Sequence, residues 1–94
     1  MIAVLDRLVK SNGEYTLIVA ENMKKKRKAM NLTQVELSKR ADVSYASLRR
    51  FEETGNISLI SLISIARVLD SLNEFETLFS KKHYSSIEEV INEK

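Results

Sequence analysis

The chain has no cysteine, no proline and only two glycines in its 94 residues. Without cysteine there are no disulfides, no thiol chemistry and no cysteine-ligated zinc. So few breakers point to helices with short connections. No apolar stretch approaches the roughly 20 residues of a membrane span. The N-terminal apolar run, Ile2 to Leu5, is too short for a secretory signal. The protein is therefore expected to be soluble and cytoplasmic, with no membrane partner. The single histidine, His83, has no ligand cluster around it in the sequence, so neither a metal nor a cofactor is expected.

What is present suits one small globular domain. Hydrophobic residues make up 44% of the chain, a normal share for a packed core. The net charge of +2 conceals an asymmetry. From Glu21 to Glu53 there are nine Lys/Arg against five Asp/Glu; from Glu74 to Lys94 there are three against five. The centre of the chain is thus where an anionic partner would dock.

Met1 to Lys10 has the spacing of a short amphipathic helix, with a strand as the alternative, and Ser11-Asn12-Gly13 breaks it. A helix is expected from about Thr16 to Met30, with Ala20, Met23, Arg27 and Met30 on one face. Arg27 on that stripe needs a carboxylate partner, because a lone buried guanidinium is costly. Thr33 with Glu36 reads as a capping box opening a helix to about Ala41, with Leu37 and Ala41 inward. Asp42-Val43 is the turn. Ser44 caps a helix over about Tyr45 to Glu53 with Leu48 and Phe51 as its core side, and Gly55 supplies a left-handed cap. Ser58 caps a helix over about Leu59 to Asp70, with Leu59, Leu62, Ile65, Ala66 and Leu69 as the inner stripe and Ile60 and Ile63 beside it. Asn73 is a cap candidate for a short helix carrying Phe75, Leu78 and Phe79. Ser86 with Glu89 opens a last amphipathic segment or tail.

The segment LTQVELSKRADVSYASLRRFEETG, residues 32–55, joins two short helices by a tight turn. With Arg27, it resembles the Cro/CI-type helix-turn-helix, the xenobiotic-response-element family of bacterial and phage regulators. The residues that carry the resemblance are Arg27, Leu32-Thr33-Gln34, Glu36-Leu37, Ala41, Val43-Ser44, Leu48, Phe51-Glu52 and Gly55, within a match from about Leu17 to Phe79. Asp42 stands where the family usually has glycine, and Asn56-Ile57-Ser58 where it often has proline. The resemblance implies an all-α, lambda-repressor-like bundle of about five core helices, with short extra segments at both ends. The implied division is an extension over 1–15, the DNA-binding domain over 16–80 and a tail or short helix over 81–94.

The same resemblance implies site roles. Thr33 and Gln34 would meet the phosphate backbone at a helix N-terminus. Ser44, Tyr45, Ala46, Arg49 and Arg50 would line the groove side of the second helix, with Arg49 the candidate for guanine. Thr54 and Asn56 would approach the backbone from the following loop. Arg27 and Glu52 would form a structural ion pair. The partner is then double-stranded DNA, bound by a homodimer, with Ile60, Ile63, Phe75, Leu78 and Phe79 as dimer candidates. The lysine run Lys24 to Lys28 is either part of the DNA patch or a solvated helix face.

Two functions fit this reading. The first is a sequence-specific DNA-binding repressor. The alternative is an antitoxin of the HipB-like kind, which binds a kinase-type (HipA-like) toxin protein and represses its own operon. An enzyme is not expected, because no Gly-rich phosphate loop, cysteine or grouped Ser-His-Asp set is present.

Overall fold

The computed structural model describes residues 10–83 of the chain. The expected segments at Met1 to Lys10 and from Ser86 onward lie almost wholly outside these residues. Among the described residues there are five helices and no strand: α1 Asn12–Ala29, α2 Gln34–Ala41, α3 Tyr45–Thr54, α4 Leu59–Val68 and α5 Asn73–Glu76. The all-α expectation holds.

Side-chain caps set most of the helix starts. Ser11, Thr33, Ser44 and Ser58 are extended N-caps whose hydroxyls accept from the backbone N–H three residues on. Ser11 therefore opens α1 at Asn12, whereas the sequence reading placed the start at Thr16. Thr33 and Glu36 make the reciprocal capping box, with both bonds at 3.0 Å. Asn73, expected as a cap, is instead the first residue of α5; Leu72 holds the cap position and supplies no side-chain bond.

The ends of α1, α2 and α4 explain how the chain manages with so little glycine. Each finishes on a left-handed non-glycine residue: Asn31 (φ 57°), Asp42 (φ 54°) and Asp70 (φ 56°). Asn and Asp tolerate this region because their short polar side chains can hydrogen-bond locally. The next N–H then reaches back five residues: Leu32 to the Arg27 carbonyl at 3.1 Å, Val43 to Ser38 at 3.0 Å and Ser71 to Ala66 at 2.8 Å. These 6→1 bonds satisfy helix-end carbonyls, and Leu32, Val43 and Ser71 are all drawn into buried positions.

The core is built from Ala20 and Met23 of α1, Leu37 and Ala41 of α2, Leu48 and Phe51 of α3 and Ile65 of α4, with Leu32, Val43 and Leu69 from the connections. α1 packs on α3, and α2 packs on both α3 and α4. Two residues of the predicted stripes fall outside the core. Met30 ends α1 and is 42% exposed; Leu59, in the first turn of α4, is 60% exposed. Helical periodicity gives a face but not the point at which its neighbour ends.

The Thr33 N–H, and then the Thr33 hydroxyl, hold the Glu36 carboxyl below its ordinary value of 4.5. A carboxylate depressed on folding adds stability above its unfolded pKa and loses it as pH falls through the folded one. In acid titrations followed by circular dichroism, the stability gap between wild type and Glu36→Gln is expected to narrow steadily below about pH 4.5. A gap that widened on acidification would contradict this.

Candidate nucleic-acid interface

Four of the five groove-side candidates sit on the outer side of α3, and the fifth, Ser44, caps its start. Leu48 and Phe51 turn inward and are essentially inaccessible, so the helical repeat forces Tyr45, Ala46, Arg49 and Arg50 outward, and all four are exposed. Ser44 and Thr33, also exposed, are occupied as N-caps; the Ser44 hydroxyl in addition donates to the Ser47 hydroxyl at 2.8 Å. At the far end the Thr54 hydroxyl donates to the Arg50 carbonyl at 2.7 Å and accepts from the Asn56 N–H at 3.2 Å, which fixes the loop after α3.

Beneath this surface lies a buried ion pair. Arg27 Nε donates to Glu52 Oε2 at 2.8 Å and Arg27 Nη2 to Glu52 Oε1 at 3.0 Å, a bidentate pairing between α1 and α3. The two side chains are 8% and 3% exposed. Arg27 Nη1 donates to the Leu32 carbonyl at 2.8 Å, which ties in the connection ahead of α2. Gln34 Nε2 completes the network by donating to Glu52 Oε1 at 2.9 Å. Among the described residues no buried side-chain nitrogen or oxygen lacks a partner.

The resemblance implies a phosphate contact for Gln34. Its amide is already committed to Glu52 through one of its two hydrogens, which leaves the second for an outside acceptor. Sequence reasoning also missed Glu53. Its Oε1 accepts from Arg49 Nε at 3.1 Å, one helical turn away, and both side chains are more than half exposed. That hydrogen bond, and then the carboxylate's charge, raise the Arg49 guanidinium above its ordinary value. The i, i+4 spacing was the available signal.

The dimer candidates lie elsewhere. Ile60, Leu78 and Phe79 are 79%, 56% and 95% exposed, while Ile63 and Phe75 are half-buried. Nearby is an apolar groove of about 420 Å³ lined by residues of α1 and α4, by Leu69 and Ser71, and by α5 and Leu78. No residue of α3 contributes to it. Among the described residues no group of three His, Cys, Asp or Glu could hold a metal, and no helix is long and apolar enough to cross a membrane.

Two capped helices joined by a tight turn, with Arg49 and Arg50 on the solvent side of the second, have the arrangement of a helix-turn-helix. The family model described as Helix-turn-helix matches residues 23–75, more than half of the chain, and the chain belongs to that Cro/CI-type family. No curated protein and no solved structure matches it.

Proposed function

We propose that the protein is a transcriptional repressor that binds a two-fold DNA site as a homodimer through α3. The observation that carries this reading is the outward row of Tyr45, Ala46, Arg49 and Arg50 on a helix whose other side is anchored by Leu48, Phe51 and Glu52. Arg49 reads guanine in the major groove. Arg50 reads a base or clamps a phosphate, and Ser44, Tyr45 and Ala46 meet bases near the start of the helix. Thr33, Gln34, Thr54 and Asn56 hold the backbone. α2 presents its exposed amides and positive end to a phosphate, with the second hydrogen of the Gln34 amide beside them.

One such module covers only a few base pairs, so useful affinity calls for two. Ile60, Ile63, Phe75, Leu78 and Phe79 supply the dimer contact. The exposed apolar side chains of Ile60, Leu78 and Phe79 support it. The antitoxin alternative would use the acidic stretch from Glu74 to Glu93 to hold a toxin. Co-purification with a kinase-type protein encoded next door is the observation that would bring it forward.

Variants separate base reading from phosphate holding. Against duplexes selected by the wild type, Arg49→Ala is expected to relax the preference at one position by about 1–3 kcal/mol. Gln34→Ala is expected to weaken all duplexes alike. Fluorescence-anisotropy titrations across single-base variants measure both. An unchanged base preference in Arg49→Ala would remove Arg49 from the reading.

A further inference from the structure

We propose that Glu53 is a positioning residue for sequence discrimination: it holds the Arg49 guanidinium through Nε, leaving the terminal Nη edge for guanine. This rests on the reading of α3 as the DNA-reading helix.

The contact is a 3.1 Å bond from Arg49 Nε to Glu53 Oε1, with side-chain exposures of 60% and 61%. An ion pair so open to water contributes little to folding, and it lies on the exposed side of α3 that would meet a duplex. Arg49 and Glu53 are one turn apart and share the stripe that starts at Tyr45. An unrestrained arginine on that stripe would swing to any phosphate, which increases affinity for every sequence. Engaged at Nε, the guanidinium still has both Nη groups for the O6 and N7 of guanine, the pairing that needs a fixed fork. Glu53 has a second effect. Its carboxylate comes close to the phosphates when α3 enters a groove, and screening weakens as water is excluded. Each duplex meets that repulsion alike, so it lowers affinity for every sequence, while the preference for guanine comes from the held fork of Arg49.

The test uses the full chain, a duplex selected by the wild type and a random duplex of equal length. In Glu53→Ala, random-duplex affinity is expected to rise roughly threefold, and the selected-to-random ratio to fall by about tenfold. Glu53→Gln keeps an acceptor for Nε and removes the charge. It is expected to show the same rise on random duplex but to keep more of the base preference at the guanine. In an Arg49→Ala background, adding Glu53→Ala is expected to leave the base preference unchanged. A melting temperature near the wild-type value would show that the fold survives. If wild type selects a duplex and Glu53→Ala keeps the full ratio, the inference fails alone. If wild type selects no duplex, the DNA reading fails and takes this inference with it.

Discussion

Glu52→Ala is expected to lose about 3–5 kcal/mol, because it strands a buried guanidinium. The Glu52 carboxylate accepts three hydrogen bonds, two from Arg27 and one from Gln34, and is shut off from water. Truncation leaves Arg27 with only the Leu32 carbonyl. A domain of this size is typically stable by about 5–15 kcal/mol, so a large fraction of the total is at stake. At roughly 4–8 °C per kcal/mol, the melting temperature should fall by more than about 12 °C. Glu53→Ala, which breaks only an exposed pair, should shift it by a few degrees at most. Equal losses in the two variants would contradict the assignment. Replacing Arg27 and Glu52 together by apolar residues should recover part of the loss, since no unpaired charge remains buried. Recovery stays partial because the Leu32 carbonyl and the Gln34 amide lose partners. The pair also fixes how α3 lies on α1, so the loss should extend to DNA affinity.

Gly55→Ala is the second large effect. Gly55 adopts φ 81°, which costs a residue with a Cβ about 1–2 kcal/mol. The Cβ would also lie 2.9 Å from the backbone carbonyl carbon of Thr16 and 2.6 Å from its Oγ1. The backbone of α1 cannot yield as a flexible side chain would, so α1 and the end of α3 must separate. The combined cost is expected to exceed about 2 kcal/mol in chemical denaturation. Thr16→Ala relieves the hydroxyl contact but not the backbone one, so Thr16→Ala/Gly55→Ala should stay well below Thr16→Ala in stability. Full rescue by Thr16→Ala would show that only the side chain sets the limit.

The two sites show which parts of the structure were legible in the sequence. Capping is local chemistry: Thr33 with Glu36, Ser44 and Ser58 could be read from spacing alone because the donor sits three residues from the acceptor. The left-handed Asp42 was readable as the turn between α2 and α3. Asn31 and Asp70 do the same work at other helix ends but carry no motif to single them out. The apolar stripes gave the inward faces but not their limits, hence the exposed Met30 and Leu59. Gly55 read as a cap; Thr16, against which a Cβ would collide, is far away in sequence and visible only after α1 and α3 have packed. The same holds for Gln34 on Glu52 and for Lys26, whose ammonium donates to the Ser71 hydroxyl at 2.6 Å. Such contacts depend on helix crossing, which no local pattern encodes. Glu53 differs: its spacing to Arg49 was in plain view, and the geometry shows the bond between them.

The measurement that bears most directly on α3 as a DNA-reading helix is selection from a random duplex pool, with the enriched sequences titrated across salt. A repressor dimer should enrich a two-fold repeat whose half-site centres lie about 34–36 Å apart. Its affinity should fall linearly on a log–log salt plot with the slope of several phosphate contacts. A pool that emerged unenriched, with binding that did not respond to salt, would contradict it.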